Sequence, residues 1–470
     1  MKKLIFILSV IAVSTSCSDF LEENPKSVIS PPVVLSSVDG FDATLSGIYS
    51  NITGWGKVYS WNQYFMYESF VDFQYAPYGA DFSSGYIPSS GWETNQCWSN
   101  SYKIINSANI ILDNLKSIDG DPDKDRIEGE AKFLRGWAYF TLVQFYGDVP
   151  LVLSPVTDPS NFQPSRTAQA EVYKQIISDL KDAASMMNDV APDLGRVNKW
   201  VAKAWLSKVY LTMAGNPNHI TTYEGTSTWQ LALNVAKEII ESGRYSIDIP
   251  YSEVFWTPGD LETIWEIRTP GNEWGYNVFT FLSQGIMTPT DKFIKSFEAN
   301  DIRGPKWGIR NYYLDAAGDT VTFPLPTYIK MVDTIQYANG IQFQSDVPIT
   351  VIRLADVLLM AAEADNEVNN GPSADAYFWI NAVRNRAGID DLSGLNYASF
   401  KDSVFIERRH ELYGEGFSWW DLKRFNKFDL FNSVTREIKT TIDDHLNYFP
   451  IYNVEIINNP NVTQNPGWPG

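Results

Sequence analysis

The residues best suited to chemistry in this chain are aromatic rings set among chain breakers. Fourteen aromatic side chains fall between Trp55 and Trp98, a stretch punctuated by Gly79, Gly85, Pro88 and Gly91, which favour turns over regular elements. A second group stands in residues 244–350, rich in Trp, Tyr, Gly and Pro. A planar ring can lie on the apolar C–H face of a sugar, each such contact being worth about 1 kcal/mol, while amides and carboxylates take the hydroxyls. The candidate rings are Tyr75, Tyr78 and Trp92 in the first group and Trp274, Tyr276 and Trp307 in the second. Asp72, Asp81, Asn272 and Arg310 are the candidate hydroxyl partners. For any one of these residues the competing roles are packing within its own loop and contact with a partner protein.

Cys17 offers a different chemistry. It follows Lys2 and Lys3, an apolar run over residues 4–13, and the small residues Ser14, Thr15 and Ser16. The apolar run is too short to span a bilayer and has the layout of a secretory leader. The pattern predicts cleavage before Cys17 and acylation of its thiol, although Ser16 stands where glycine or alanine is usual. An ordinary secreted protein is the alternative. Several acyl chains would hold the protein stably, since each buried methylene contributes roughly 0.8 kcal/mol and one chain alone is marginal. The expected organisation is a signal peptide over residues 1–16, a lipidated tether over 17–40 and a single domain over 41–470. Two irregular, ligand-facing segments are expected within that domain, about 55–98 and 244–350.

Other chemistries find less support. The formal net charge of −19 becomes −21 when a leader carries away Lys2 and Lys3, which argues against nucleic acid or an anionic membrane surface as partner. With Cys17 acylated, only Cys97 remains; no internal disulfide is possible, and Cys97 is expected to be a small buried hydrophobe. His219, His410 and His445 have no metal-ligand spacing. Residues 119–130 (DGDPDKDRIEGE) place acids as a calcium loop would, but Lys124 stands where the sharp turn needs glycine and Pro122 intrudes. Helix capping accounts for the same acids. No phosphate loop, nucleophile elbow or HExxH pattern occurs. A glycosidase needs only two carboxylates and so stays open as an alternative, but no catalytic residue, metal or cofactor is assigned.

The elements that must position these rings are helical. Helical spacing predicts helices over 41–51, 101–118, 168–188, 198–213, 228–242, 352–368 and 373–387. A further helix is expected to be capped by Asp121, with Pro122 in its first turn and an inner face of Ile127, Ala131, Leu134, Ala138, Leu142 and Phe145. Gly147 and Pro150 should stop it, and Glu128 should pair with Lys132 outside. Alanines recur at Ala202, Ala204, Ala232, Ala236, Ala361, Ala362 and Ala364, where small side chains would let helix pairs approach closely. Residues 244–350 fit short strands and long loops, 388–396 a loop, and 440–470 an irregular tail.

Several segments in order carry a resemblance. They are CSDFLEENP from Cys17, EAKFLRGWAYFTLVQFYGDVPLV over 130–152, GRVNKWVAKAWLSKVYL over 195–211, IRLADVLLMAAEADNE over 352–367, INAVRNRAG over 380–388, IERRHELYGEGFSWWDLKRF over 406–425 and YFPIYNVEIINNPNVTQNPGW over 448–468. The chain resembles the SusD/RagB family of outer-membrane nutrient-binding lipoproteins of Bacteroidetes. The resemblance implies an all-α scaffold of tetratricopeptide-like helix pairs with a large, loop-rich insertion. It implies an outward-facing body on the outer membrane, with Asp19, Glu22 and Glu23 resembling surface-export signals. It also implies a SusC-like TonB-dependent transporter as partner, on which the protein sits as a lid and to which it delivers a glycan. A peptide ligand, as for a RagB-like lid, and a purely structural lid are the alternatives. Arg135, Glu363, Arg384, Glu407, Arg408, Glu411 and Asp421 lie in the shared segments and are expected to pair with one another and fix helix crossings. Trp98 is expected to pack at a helix start.

Overall fold

The computed structural model describes residues 34–52, 57–58, 74–75, 89–158, 162–268, 288–315, 317–332, 347–430 and 444–469. The leader, Cys17 and the tether as far as residue 33 lie outside the described residues.

Helix α1 (Val38–Tyr49) is capped by Ser37, whose side chain accepts from the Gly40 amide, and buries Phe41, Leu45 and Ile48. It begins inside the expected tether, and Leu35 is buried as well, so the chain is already packed at residue 35. Helix α2 (Trp92–Asn114) starts well before the expected residue 101. Helix α3 (Lys124–Tyr146) starts later than expected. Asp121 accepts from the Asp123 amide at 2.9 Å instead of capping the helix, and Pro122 stays outside it. The six expected inner-face residues of α3 are all buried. Glu128 pairs with Lys132 at 2.9 Å, and Gly147 ends the helix at φ 69°.

Helices α4 (Gln169–Met186), α5 (Lys199–Ala214) and α6 (Thr228–Glu241) follow. Then come α7 (Asp291–Ile294), α8 (Leu354–Asn369), α9 (Ala374–Ala387), α10 (Tyr397–Leu412), α11 (Ser418–Arg424) and α12 (Asn453–Asn458). Packing runs in chain order: α2 on α3, α3 on α4, α4 on α5, α5 on α6, α6 on α8, and α8 on α9 and α10. Small residues sit at the crossings. A Cβ on Gly136 of α3 would stand 3.2 Å from the Asp179 Cβ of α4, closer than such contacts ordinarily come, so glycine eases the approach of the two helices. The seven alanines singled out above are fully or almost fully buried.

The fold is mostly helical but not all-α. Four two-stranded antiparallel sheets occur among the described residues. Strand β1 (Gln74–Tyr75) pairs with β5 (Thr288–Pro289), and β2 (Thr222–Tyr223) with β3 (Thr226–Ser227). Strand β4 (Thr263–Ile267) pairs with β8 (Ile349–Arg353), and β6 (Ile309–Leu314) with β7 (Thr320–Tyr328). Residues 352–353, expected in a helix, complete β8 because their backbone pairs with β4.

Candidate functional site

The site is built where the two aromatic segments meet. Strand β1 belongs to the first and β5 to the second, with Tyr75 opposite Thr288 and Gln74 opposite Pro289. The Thr288 hydroxyl donates to the Pro326 carbonyl at 2.7 Å, which ties β5 to the β6–β7 hairpin. Segments more than two hundred residues apart therefore share one region.

Buried ion pairs bolt this irregular region to the helices. Arg303 meets Asp301 at 2.7 Å, Glu407 at 2.5 Å and Glu411 at 3.0 Å. Arg353 meets Glu262 at 2.8 Å, Glu411 at 2.6 Å and Glu415 at 2.7 Å. Lys330 meets Glu415 at 2.7 Å, and Arg386 reaches both Glu262 and Glu411. Although burial pushes its carboxyl up, Arg386, Arg353, Arg303 and Lys330 hold Glu411 well below the usual range. Arg384 bonds Glu407 at 3.0 Å. A second cluster joins Lys208 and Arg408 to Asp356, Arg408 and Arg424 to Asp421, and Arg424 to Glu363. Of the seven charges expected to pair with one another, Arg384 with Glu407 and Arg408 with Asp421 do so, while Glu363, Glu411 and Arg135 pair with Arg424, with Arg303, Arg353 and Arg386, and with Asp179. Arg303, which comes from the insertion and pairs with Glu407 and Glu411, was not legible because the pairing is long-range.

Of the candidate rings, Trp307 is half-buried, in edge contact with Tyr251 at 5.8 Å and tilted against Trp256 at 5.7 Å. Arg310 donates from Nε to the Trp307 carbonyl at 3.1 Å, and its guanidinium lies 5.1 Å from the Tyr312 ring centroid. Tyr312 is 39% exposed and was missed by sequence reasoning. In β6 Tyr313 turns inward and Tyr312 outward, beside a register shift between Arg310 and Tyr312 that local spacing does not signal. Tyr75 lies in β1 and Trp92 is the first residue of α2, not a loop residue. The glycine before it starts the helix without a side-chain cap. Asp72, Tyr78, Asp81, Asn272, Trp274 and Tyr276 lie outside the described residues.

Trp98 packs as expected but in the second turn of α2, not at its start, buried 5.1 Å from Tyr146. Cys97 is buried too, and burial pushes its thiol up to about 12. Three acids of residues 119–130 are engaged elsewhere: Asp119 with Lys124, Asp123 with Arg126, and Glu130 with Arg126 and Arg196. Among the described residues no His, Cys, Asp and Glu gather as a metal site, and no helix is long and apolar enough to cross a membrane.

One pair has the look of a nucleophile and base. Ser296 Oγ lies 2.9 Å from His410 Nε2. The Ser296 hydroxyl, however, donates to the Phe293 carbonyl at 2.7 Å, so the imidazole is left to donate to it. Burial, with Arg303, Arg409 and Arg384 nearby, holds His410 well below 6.5. A triad needs the opposite: a base accepting from serine and a carboxylate behind the base.

Residues 306–468 match the SusD family, and residues 19–211 match the family described as starch-binding associating with outer membrane. The chain belongs to the SusD family. SusD-like protein P25 of Formosa agariphila is 26% identical over 87% of each chain. The crystal structure of a SusD superfamily protein from Parabacteroides distasonis superposes with a TM-score of 0.80 at 24% identity, covering 92% of this chain and 99% of that one. Another similar crystal structure, with xylogluco-oligosaccharide, has a TM-score of 0.74 at 21% identity, covering 89% of this chain and 97% of that one.

Proposed function

We propose that this SusD-family protein is a surface-exposed outer-membrane lipoprotein that captures a nutrient glycan. It hands the glycan to a SusC-like TonB-dependent transporter on which it sits. The observation that carries this reading is the β1–β5 pairing, which gathers two aromatic-rich segments at one place on a rigid helical frame. Trp307 and Tyr312, with Arg310 between them in sequence, supply ring faces and a hydrogen-bond donor there. Tyr75, Tyr78, Trp92, Trp274 and Tyr276 are further candidate platforms, with Asp72, Asp81 and Asn272 as polar partners. Two or three such contacts plus hydrogen bonds give about millimolar to micromolar affinity, which permits release as well as capture. The helix pairs act as a tetratricopeptide-like frame. Acylated Cys17 anchors the chain to the membrane, a tether shorter than expected leads to the packed chain at about residue 35, and the residues from there on form one domain.

Catalysis plays no part in this reading, and the bonding of Ser296 and His410 supports that. The test is a binding screen of the full chain, purified in detergent, against polysaccharides, oligosaccharides and a peptide pool. A glycan that binds, and binds less well when Trp274 is replaced by alanine, supports capture on aromatic platforms. Binding to peptides alone overturns the glycan assignment, and turnover of a glycan overturns the non-catalytic one.

A further inference from the structure

The β6–β7 hairpin carries an unmatched positive charge at the candidate site. Residues 302–314 (IRGPKWGIRNYYL) contain three cations, Arg303, Lys306 and Arg310, and no carboxylate. Arg303 is buried and matched by Asp301, Glu407 and Glu411. Lys306 is exposed and Arg310 half-buried. Among the described residues neither of these two meets a carboxylate. The hairpin's own acids stand at its turn, where Asp315 accepts from the amides of Ala317 and Asp319 at 2.9 Å.

Arg310 is held in place by its surroundings. It pairs with Thr327 across the hairpin and Tyr312 pairs with Thr322, with a register shift between them. The stretch of β7 between those partners contains Pro324 and Pro326, which have no N–H to give a ladder. Arg310 Nε donates to the Trp307 carbonyl at 3.1 Å, and its guanidinium lies 5.1 Å from the Tyr312 ring centroid, within cation–π range. These two contacts fix the side chain and leave Nη1 and Nη2 without an acceptor among the described residues. Arginines elsewhere are engaged through the same atoms: Arg135 with Asp179, and Arg166 with the Thr463 and Tyr146 carbonyls.

We propose that the captured glycan is acidic and that Arg310 selects it by taking an anionic substituent on Nη1 and Nη2. This rests on the glycan-capture reading above and names its substrate class. A guanidinium presents its N–H groups as a planar fork that fits the oxygens of an anion in pairs. The anion is either the carboxylate of a uronic acid or a sulfate ester, which share a negative charge and at least two acceptor oxygens. The Tyr312 ring holds the fork in place and, being 39% exposed, leaves surface for the sugar itself. Lys306 adds a second positive charge on the other side of Trp307 in sequence. The net charge of −19 does not override this, because exposed charges farther apart than about 8 Å are largely screened at physiological ionic strength.

The test is calorimetric titration of the full chain in detergent, at about pH 7 and about 0.15 M salt. The probes are alginate, polygalacturonate and carrageenan, each beside its uncharged form: methyl-esterified for the two uronates, desulfated for the carrageenan. Laminarin and xyloglucan serve as neutral glycans. A charged glycan should bind about tenfold or more tightly than its uncharged form, the worth of a charge-assisted contact. Preference for the uronates identifies a carboxylate, and preference for carrageenan a sulfate ester. Arg310→Gln should abolish the preference, and Arg310→Lys should keep part of it, because lysine retains the charge and loses the fork. The ratio of charged to uncharged affinity is taken within each variant, so a change in the amount of folded protein does not move it. Equal affinity for the two forms in wild type, or an undiminished preference in Arg310→Gln, overturns the proposal. Binding of laminarin or xyloglucan with none of the charged glycans overturns it and leaves glycan capture standing, whereas binding of no glycan overturns both.

Discussion

Arg135 of α3 grips Asp179 of α4 with two parallel hydrogen bonds, Nε to Oδ2 at 2.9 Å and Nη2 to Oδ1 at 2.7 Å. The pair sits beside the close approach at Gly136, and both partners are buried. A third bond, from Nη1 to Asn109 of α2 at 2.9 Å, extends the contact to a further helix. Replacing Arg135 by leucine strands the Asp179 carboxylate in the core, at a cost of about 3–5 kcal/mol. The double variant Arg135→Leu with Asp179→Leu should regain much of that loss, because the uncompensated charge is gone. Urea unfolding of the two variants against wild type measures both. A double variant no more stable than Arg135→Leu would show that the pair does more than neutralise charge.

His410 provides the pH dependence. Burial, with Arg303, Arg409 and Arg384 around it, keeps the folded imidazole neutral well below 6.5. The unfolded chain takes up a proton there near pH 6.5, while the folded chain does not. The stability contributed is therefore full above about pH 6.5 and falls as the pH drops below it, by up to about 1.4 kcal/mol per unit. His410→Gln should flatten the stability profile by that amount between about pH 7 and 5. Urea unfolding across the range gives both profiles, and identical slopes would rule out His410 as the titrating group.

Much of the frame was legible because helical packing repeats locally. The inner face of α3, the alanines at the crossings and the Glu128–Lys132 pair all follow from spacing of three and four residues. The start of α2 was not, since Gly91 gives no side-chain cap and the first turns, WETNQ, are largely polar. The cap at Asp121 was misread because the same acid serves a turn just before the helix. Arg353 reads as helical in the sequence IRLADV, yet the distant strand β4 claims its backbone. At the candidate site, loop composition singled out Trp307 and Arg310 but not Tyr312. Its exposure depends on which way a hairpin of mixed composition turns, and that is decided by the partner strand.

Cys17 carries the anchoring prediction. Cys17→Ala removes the thiol at the end of the proposed leader; the other cysteine, Cys97, lies far along the chain and is buried. A radiolabelled fatty acid supplied to growing cells should label the wild-type chain and not the variant. The variant should also leave the membrane fraction, as the proposed acyl anchor requires. Equal labelling of the two chains would exclude Cys17 as the acylated residue.

Tyr312 and Trp307 separate binding from folding at the proposed platform. Tyr312 is 39% exposed and its ring is covered by the Arg310 guanidinium. Trp307 is wedged against Tyr251 and Trp256. Tyr312→Ala should weaken binding of a glycan found in the screen by about fivefold to tenfold, the worth of one stacking contact of about 1 kcal/mol. Its melting temperature should stay within the small range of surface substitutions. Trp307→Ala should lower both affinity and melting temperature, because it empties space between two packed rings. Calorimetric titration and thermal unfolding of both variants provide the comparison. Full affinity in Tyr312→Ala would move the platform away from the hairpin. Unchanged binding in Trp307→Ala despite lost stability would make that ring a packing residue alone.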